Sequence, residues 1–269
     1  MLTAVLLWVM CSVAAGASRP RVVSINPCVD AVLVRVAAAE QIAAISHYSQ
    51  DPQATSIPLD LAERFAVTSG TAEEVVALAP DLVLAGPHVA PSTINTLARL
   101  KVRLIMLPVA ESVAESTRQV QLIADAVGAH DRGEKLVAAI HDAIAAARPR
   151  AGRPLRAVIW QGGGMVPGRG TLADELLRLA GFSNASADYG LAKWDVLPLE
   201  PLLASPPDVV LSVGTGEAGR DRMLGHPAVE KLATHVPFRT YPFRLLQCGG
   251  PTIAEAVTRL AAVRRELEG

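Results

Sequence analysis

The chain has 269 residues, 51% hydrophobic and 19% charged, and its 25 Lys+Arg against 26 Asp+Glu give a formal net charge of −1. The apolar mass argues against an intrinsically disordered chain, and the lack of a basic excess or a Lys/Arg block argues against a nucleic-acid binder driven by phosphate neutralisation. Three cysteines are too few for a disulfide-stapled mini-fold, and the length allows one large domain or two small ones.

MLTAVLLWVMCSVAAGAS is the one long apolar run. Its uncharged stretch of about 14 residues falls short of the ~20 that a membrane span needs. Ala15 and Ala17 offer the small residues of a processing site, so residues 1–17 read as a secretory signal cleaved after Ala17. No Lys or Arg precedes the run, which leaves a retained anchor helix as the alternative, and Met10 is too large for lipidation at Cys11. Export would leave Cys28 and Cys248 in an oxidising compartment, where two thiols can pair, stay free or face a ligand.

Beyond Arg21, short β-branched runs alternate with amphipathic stretches. VVSI (22–25), IAAI (42–45), LVLA (82–85) and RLIML (103–107) predict buried strands. Val29–Val36, Glu73–Ala79 and Thr93–Leu100 predict the helices between them. Continuous apolar strands separated by helices imply a parallel sheet covered on both faces. From Ser112 to Arg148 the strand signal disappears. Residues 115–127 predict one helix ended by Gly128. Asp131–Arg148, with Leu136, Val137, Ile140 and Ile144 on one stripe, predicts a stiff Ala-rich helix of about 18 residues, roughly 27 Å long. Alternation then resumes, with strands at RAVIW (156–160), DVVLSV (208–213) and FRTYP (238–242), and helices at Leu172–Leu179, Glu200–Ala204, Pro227–Ala233 and Thr252–Leu267.

EEVVALAPDLVLA, from Glu73 to Ala85, is echoed by EPLLASPPDVVLS, from Glu200 to Ser212, with six of 13 positions identical at an offset of 127 residues. Each copy opens a short helix with a glutamate, stops it with Pro and enters a buried strand through Asp. The expected architecture is therefore α/β: two Rossmann-like lobes with parallel sheets, joined by one long rigid helix. The boundaries read as 18–129 for the N-terminal lobe, 130–150 for the linking helix and 151–269 for the C-terminal lobe.

No G-x-S-x-G, H-E-x-x-H or C-x-x-C motif occurs, and no catalytic constellation emerges. The loop GGGMVPGRGT (162–171) lacks the Lys of a phosphate loop. Its glycines permit a sharp turn, and Thr171 caps the next helix with Asp174 three residues on. Cys28, His47 and His88 follow predicted strands and would rise at one carboxyl edge, where such sheets bind ligands. They could hold a soft metal or simply line a cleft. Tyr48, Trp160 and Trp194 fall at strand-to-helix loops, where rigid amphipathic rings suit a large, partly apolar ligand; each could equally cap its lobe's core. Thr71 and Glu74 make a capping box, which leaves Glu73 unused for capping. Glu73 and Glu200, equivalent acids on two lobes, could dock on a basic two-fold partner.

RVVSINPCVDAVL (21–33), IAAISHYS (42–49), AEEVVALAPDLVLAGPH (72–88), KWDVLPLEPLL (193–203) and CGGPTIAEAV (248–257) together resemble the substrate-binding proteins of bacterial ABC importers for cobalamin and ferric siderophores. The resemblance implies a periplasmic, monomeric, non-enzymatic binder with no cofactor of its own. It would capture a metal–organic chelate, foremost a corrinoid, between two lobes bridged by a rigid helix, and deliver it to a permease dimer. It matches Glu73 and Glu200 to the permease-docking glutamates, and Tyr48 and Trp194 to aromatics that line the corrin site. Loop placement adds Cys28, His47, His88, Trp160, Gly163 and Cys248 to the ligand-binding set. Thr252 stands where many relatives carry Arg, which favours a neutral macrocycle over an anionic siderophore. A disulfide between Cys28 and Cys248, on opposite lobes, would lock the cleft, so free or ligand-facing thiols are expected. The alternatives are a ferric-siderophore or haem binder of the same family, a bare metal-ion binder using Cys28, His47 and His88, and a corrinoid- or tetrapyrrole-acting enzyme on the same fold.

Overall fold

A computed structural model describes residues 19–149, 151–213 and 225–269; the expected signal segment lies outside them. The N-terminal lobe runs β1 (Val22–Ser24), α1 (Pro27–Val36), β2 (Ile42–Ser46), α2 (Leu59–Ala62), β3 (Val67–Thr68), α3 (Ala72–Ala77), β4 (Leu82–Ala85), α4 (Pro91–Arg99), β5 (Arg103–Met106) and α5 (Val113–Ala126). The linking helix is α6 (His130–Ala147). The C-terminal lobe runs β6 (Leu155–Trp160), β7 (Met165–Pro167), α7 (Leu172–Leu179), β8 (Phe182–Asn184), α8 (Ala185–Asp188), β9 (Trp194–Val196), α9 (Leu199–Ala204), β10 (Val209–Ser212), α10 (Pro227–Ala233), β11 (Phe238–Thr240), α11 (Arg244–Gln247) and α12 (Thr252–Glu268).

Two separate parallel sheets form, in the orders β3-β2-β1-β4-β5 and β11-β10-β6-β8. The expected class, two parallel-sheet lobes joined by a long helix, is what the chain adopts. An antiparallel pair, β7 with β9, is an addition that the sequence pattern did not announce.

The echo has a structural counterpart. It supplies α3 and β4 in one lobe, α9 and β10 in the other. β4 lies beside β1 and is flanked by β5; β10 lies beside β6 and is flanked by β11. The repeated Asp does the same work twice. Asp81 accepts the backbone N–H of Arg21 at 2.8 Å, and Asp208 accepts that of Arg156 at 2.7 Å. Each carboxylate ties its own strand's entry to the central strand next to it, satisfying a backbone donor where the ladder begins.

Strand alternation divides the core. Val22, Leu82 and Leu84 in one sheet, and Ala157, Ile159, Val209 and Leu211 in the other, face a single shared core that includes residues of α1, α5, α6, α7 and α12. The alternate residues Val23 and Val83, and Val158, Trp160 and Val210, face separate outer clusters. The linking helix packs one face on this shared core and leaves the opposite face exposed to solvent. Ile140 and Ile144 are buried in the shared core, with Leu136 and Val137 partly buried against it, as the expected stripe requires. Gly133 lets α6 approach α5: a Cβ there would stand 2.5 Å from that of Ala124.

Candidate functional site

The carboxyl edges of the two sheets face a cleft. Asn26, two residues beyond β1, caps α1, its side-chain oxygen accepting the N–H groups of Cys28 and Val29 at 2.9 and 3.2 Å. Pro27 at the first turn sets the helical φ. The loop after β4 brings Pro87 and His88, and the loop after β5 brings residues 107–111. From the other lobe come Thr171 and the start of α7, Trp194 on β9, Tyr241 after β11, and the turn 245–250. Together they enclose a cavity of about 470 Å³. Its lining is largely apolar, with the amides of Asn26, Gln119 and Gln247 and the hydroxyls of Ser116 and Thr171. Glu111 and His88 are on the wall, and no lysine or arginine is among the described lining residues.

Cys28 and Cys248 are joined by a disulfide, with Cα atoms 5.0 Å apart. This corrects the expectation of free or ligand-facing thiols. The sulfurs do line the cleft, but as a bridge between the lobes. The reason lies in the turn that carries Cys248. Gly250 adopts φ +66°, and a Cβ there would lie 2.8 Å from Val32 of α1. The N–H of Gly250 donates to Ser116 Oγ of α5 at 2.6 Å. The Thr252 hydroxyl donates to the Gly249 carbonyl at 2.8 Å, fixing the turn to the start of α12. The two glycines therefore let the second lobe's backbone lie directly on α1 and α5, within reach of Cys28.

The soft-metal set fails for the same reason. Cys28 has no thiolate to offer, and the His47 Nδ1–H donates to the Thr68 carbonyl at 3.2 Å. No group of three His, Cys, Asp or Glu side chains able to hold a metal ion occurs among the described residues.

The aromatic set divides. Trp194 is on the cavity wall and 46% exposed. Tyr48 is half exposed on the turn after β2, at the same sheet edge as Cys28 but outside the cavity lining, its ring 4.0 Å from that of His47. Trp160 is a correction: it is buried in the outer core of the C-terminal lobe with Val158 and Val210. Odd–even alternation along β6 sends it away from the shared core and under the outer helices. Gly163, at φ +74°, sits in the turn before β7 and contributes nothing to the cavity.

A buried carboxyl supports the Tyr48 turn. Asp30 on α1 is completely buried, and its Oδ2 accepts the Ser46 N–H at 2.9 Å and the Ser49 hydroxyl at 2.6 Å. Its Oδ1 has no hydrogen-bond partner among the described residues. Burial pushes its pKa up to about 7, against the lowering by the hydrogen bonds from Ser49 and Ser46.

Glu73 and Glu200 are both exposed, in the first turns of the equivalent helices α3 and α9. Thr71 caps α3, accepting the Glu74 N–H, but the expected box is only half formed. The Glu74 carboxylate goes instead to the Ser69 N–H and to the hydroxyls of Ser69 and Thr68, and these bonds hold its pKa below the ordinary glutamate value.

Sequence reasoning missed Asn26, Gln119, Tyr241, Gln247 and the loop 107–111. The loops after the predicted strands 103–107 and 238–242 were a usable signal, since they rise at the same edges as those after β1 and β4.

A cleft between two parallel-sheet lobes joined by one long helix defines a bilobal ligand-binding protein. A family model described as periplasmic binding protein matches residues 22–235, and the chain belongs to that family. Members of the family are binding proteins rather than enzymes. The fold is shared with solved structures. The periplasmic heme-binding protein RhuT from Roseiflexus sp. RS-1 superposes with a TM-score of 0.74 at 24% identity, covering 93% of this chain and 100% of that one. The periplasmic heme-binding protein HutB of Vibrio cholerae gives 0.75 at 19%, covering 91% and 98%. The periplasmic vitamin B12 binding protein BtuF of Vibrio cholerae gives 0.71 at 16%, covering 93% and 98%. Comparison with curated proteins returns no match.

Proposed function

We propose that the protein is the exported, periplasmic solute-binding component of an ABC importer, and that it captures a cobalamin-type corrinoid and hands it to a permease dimer through Glu73 and Glu200. The observation that carries the ligand class is the chemistry of the wall. Amides and hydroxyls punctuate an apolar surface, with Trp194 offering a ring face and no lysine or arginine among the described lining residues. A corrin edged with neutral carboxamides matches such a wall. Haem, with two propionates, and anionic ferric siderophores would ask for cations. The cleft brings together no nucleophile with an adjacent base, so binding without bond making is the activity it supports.

A second reading is haem. His88 on the wall carries an imidazole suited to an axial position, and several structures of the same fold are described as haem-binding. Isothermal titration with cyanocobalamin, ferric haem and a ferric hydroxamate separates the candidates. Tightest binding of cyanocobalamin is expected. A haem complex lost in His88→Ala would move the assignment to haem, and silence from all three would defeat the ligand class.

A further inference from the structure

A lysine from one lobe and a glutamate from the other meet beside the cavity wall. Lys193 belongs to the C-terminal lobe and directly precedes Trp194, which is on the cavity wall. Glu111 belongs to the N-terminal lobe and is itself on that wall. The Lys193 ammonium donates to both Glu111 carboxylate oxygens, at 3.0 and 3.2 Å. Both partners are held from behind. Lys193 has φ +53°, donates its N–H to the Arg169 carbonyl at 3.1 Å, and accepts the Gly168 N–H. Glu111 donates its N–H to Glu115 Oε2 at 2.8 Å.

We infer that this ion pair sets the charge of the ligand that the cleft accepts, because Glu111 occupies the ammonium that a ligand carboxylate would otherwise reach. The inference rests on the proposed macrocyclic ligand and adds the device that selects its neutral form. The selection works by competition within one molecule. A ligand acid approaching Trp194 meets a lysine already neutralised by an attached carboxylate, at a local concentration that a free ligand does not match. A ligand carboxamide makes no demand on the lysine and loses nothing. The pair is partly exposed, with side chains 66% and 44% accessible, so its contribution is modest and the selectivity it gives is a few-fold, not absolute.

The test compares matched probes on the mature, oxidised protein: cyanocobalamin against a cyanocobalamin monocarboxylate, and haem diamide against haem. The ratio of acid to amide affinity is measured by titration for the wild type, Glu111→Gln, Lys193→Met and the double variant. Wild type should favour the amide probe. Glu111→Gln should shift the ratio about fivefold towards the acid, the scale of an exposed ion pair. The double variant should lose that gain, because the gain needs the freed ammonium. Melting temperatures should stay together, separating this effect from a structural one. An unchanged ratio in Glu111→Gln, or a gain that persists without Lys193, overturns the inference while leaving the ligand class intact. Failure of the wild type to bind any of the four probes overturns both.

Discussion

Replacing Cys28 and Cys248 by serine should destabilise the protein more than any surface change, and the size follows from the chain between them. The bridge closes a sequence separation of 220 residues. Constraining a loop of that length in the unfolded ensemble is worth about 5 kcal/mol in the chain-entropy model, and removal of native disulfides costs about 2–5 kcal/mol in practice. For a chain of this size each kcal/mol moves the midpoint by about 2–4 °C, so the loss should be at least ~4 °C and as much as ~20 °C. The native contacts around the bridge favour the lower half of that range. Ser116 still receives the Gly250 N–H, and Gly250 still lies against Val32, so the lobes keep their junction when the sulfurs are gone. The assay is thermal unfolding of a chain comprising residues 18–269, which leaves out Cys11, oxidised, reduced, and as the Cys28→Ser/Cys248→Ser variant, with thiols counted under denaturing conditions. Oxidised protein should show no free thiol, reduction should reproduce the variant's melting point, and reductant should leave the variant unmoved. Two free thiols in protein purified from an oxidising compartment, or a midpoint indifferent to reduction, would refute the bridge as a brace between the lobes.

Asp30 makes stability depend on pH in an unusual sense for a carboxylate. Its folded pKa, about 7, lies above the ordinary 3.8, so between those values the folded chain keeps a proton that the unfolded chain releases, and stability falls as pH rises. Asp30→Asn should remove that slope, gaining on the wild type by on the order of 3 kcal/mol between pH 5 and pH 8 in urea unfolding; parallel profiles would contradict it. Trp160→Ala should cost about 3–5 kcal/mol of stability as a core truncation, whereas Trp194→Ala should leave the melting point nearly unchanged and weaken ligand binding about tenfold; exchanged phenotypes would reverse the two placements. Charge reversal at Glu73 and Glu200 should abolish uptake in a reconstituted importer while leaving titrated affinity unchanged, and weakened affinity would put these residues in the wrong place.

The parts of the fold that announce themselves are those whose local pattern has one structural solution. Val22 and Val23, the run 82–85 and the run 157–160 are apolar on both faces because each strand is sandwiched between helices. Leu172–Leu179 and Pro227–Ala233 carry their own start signals, Thr171 and Pro227, and form over those bounds. Short strands stayed hidden. Val67–Thr68 is two residues long, and Trp194–Val196 is exposed throughout, so neither leaves a burial pattern. The site was legible only as far as topology reached. Cys28 and His88 were placed at the cleft because their loops follow parallel strands, but the side of the sheet that Trp160 faces depends on the other layers. The pairing of Cys28 with Cys248 depends on how closely Gly249 and Gly250 let two lobes approach, which no local pattern encodes.

On the proposed reading the ligand sits between the lobes, beside the bridge and Trp194. A crystal structure of the mature protein with cyanocobalamin tests it most directly. The corrin should lie in the 470 Å³ cleft and its mouth, with its edge against Trp194 and its amides on Gln119 and Gln247. Density on the outer face of either sheet, with the cleft between α1 and α7 empty, would contradict it.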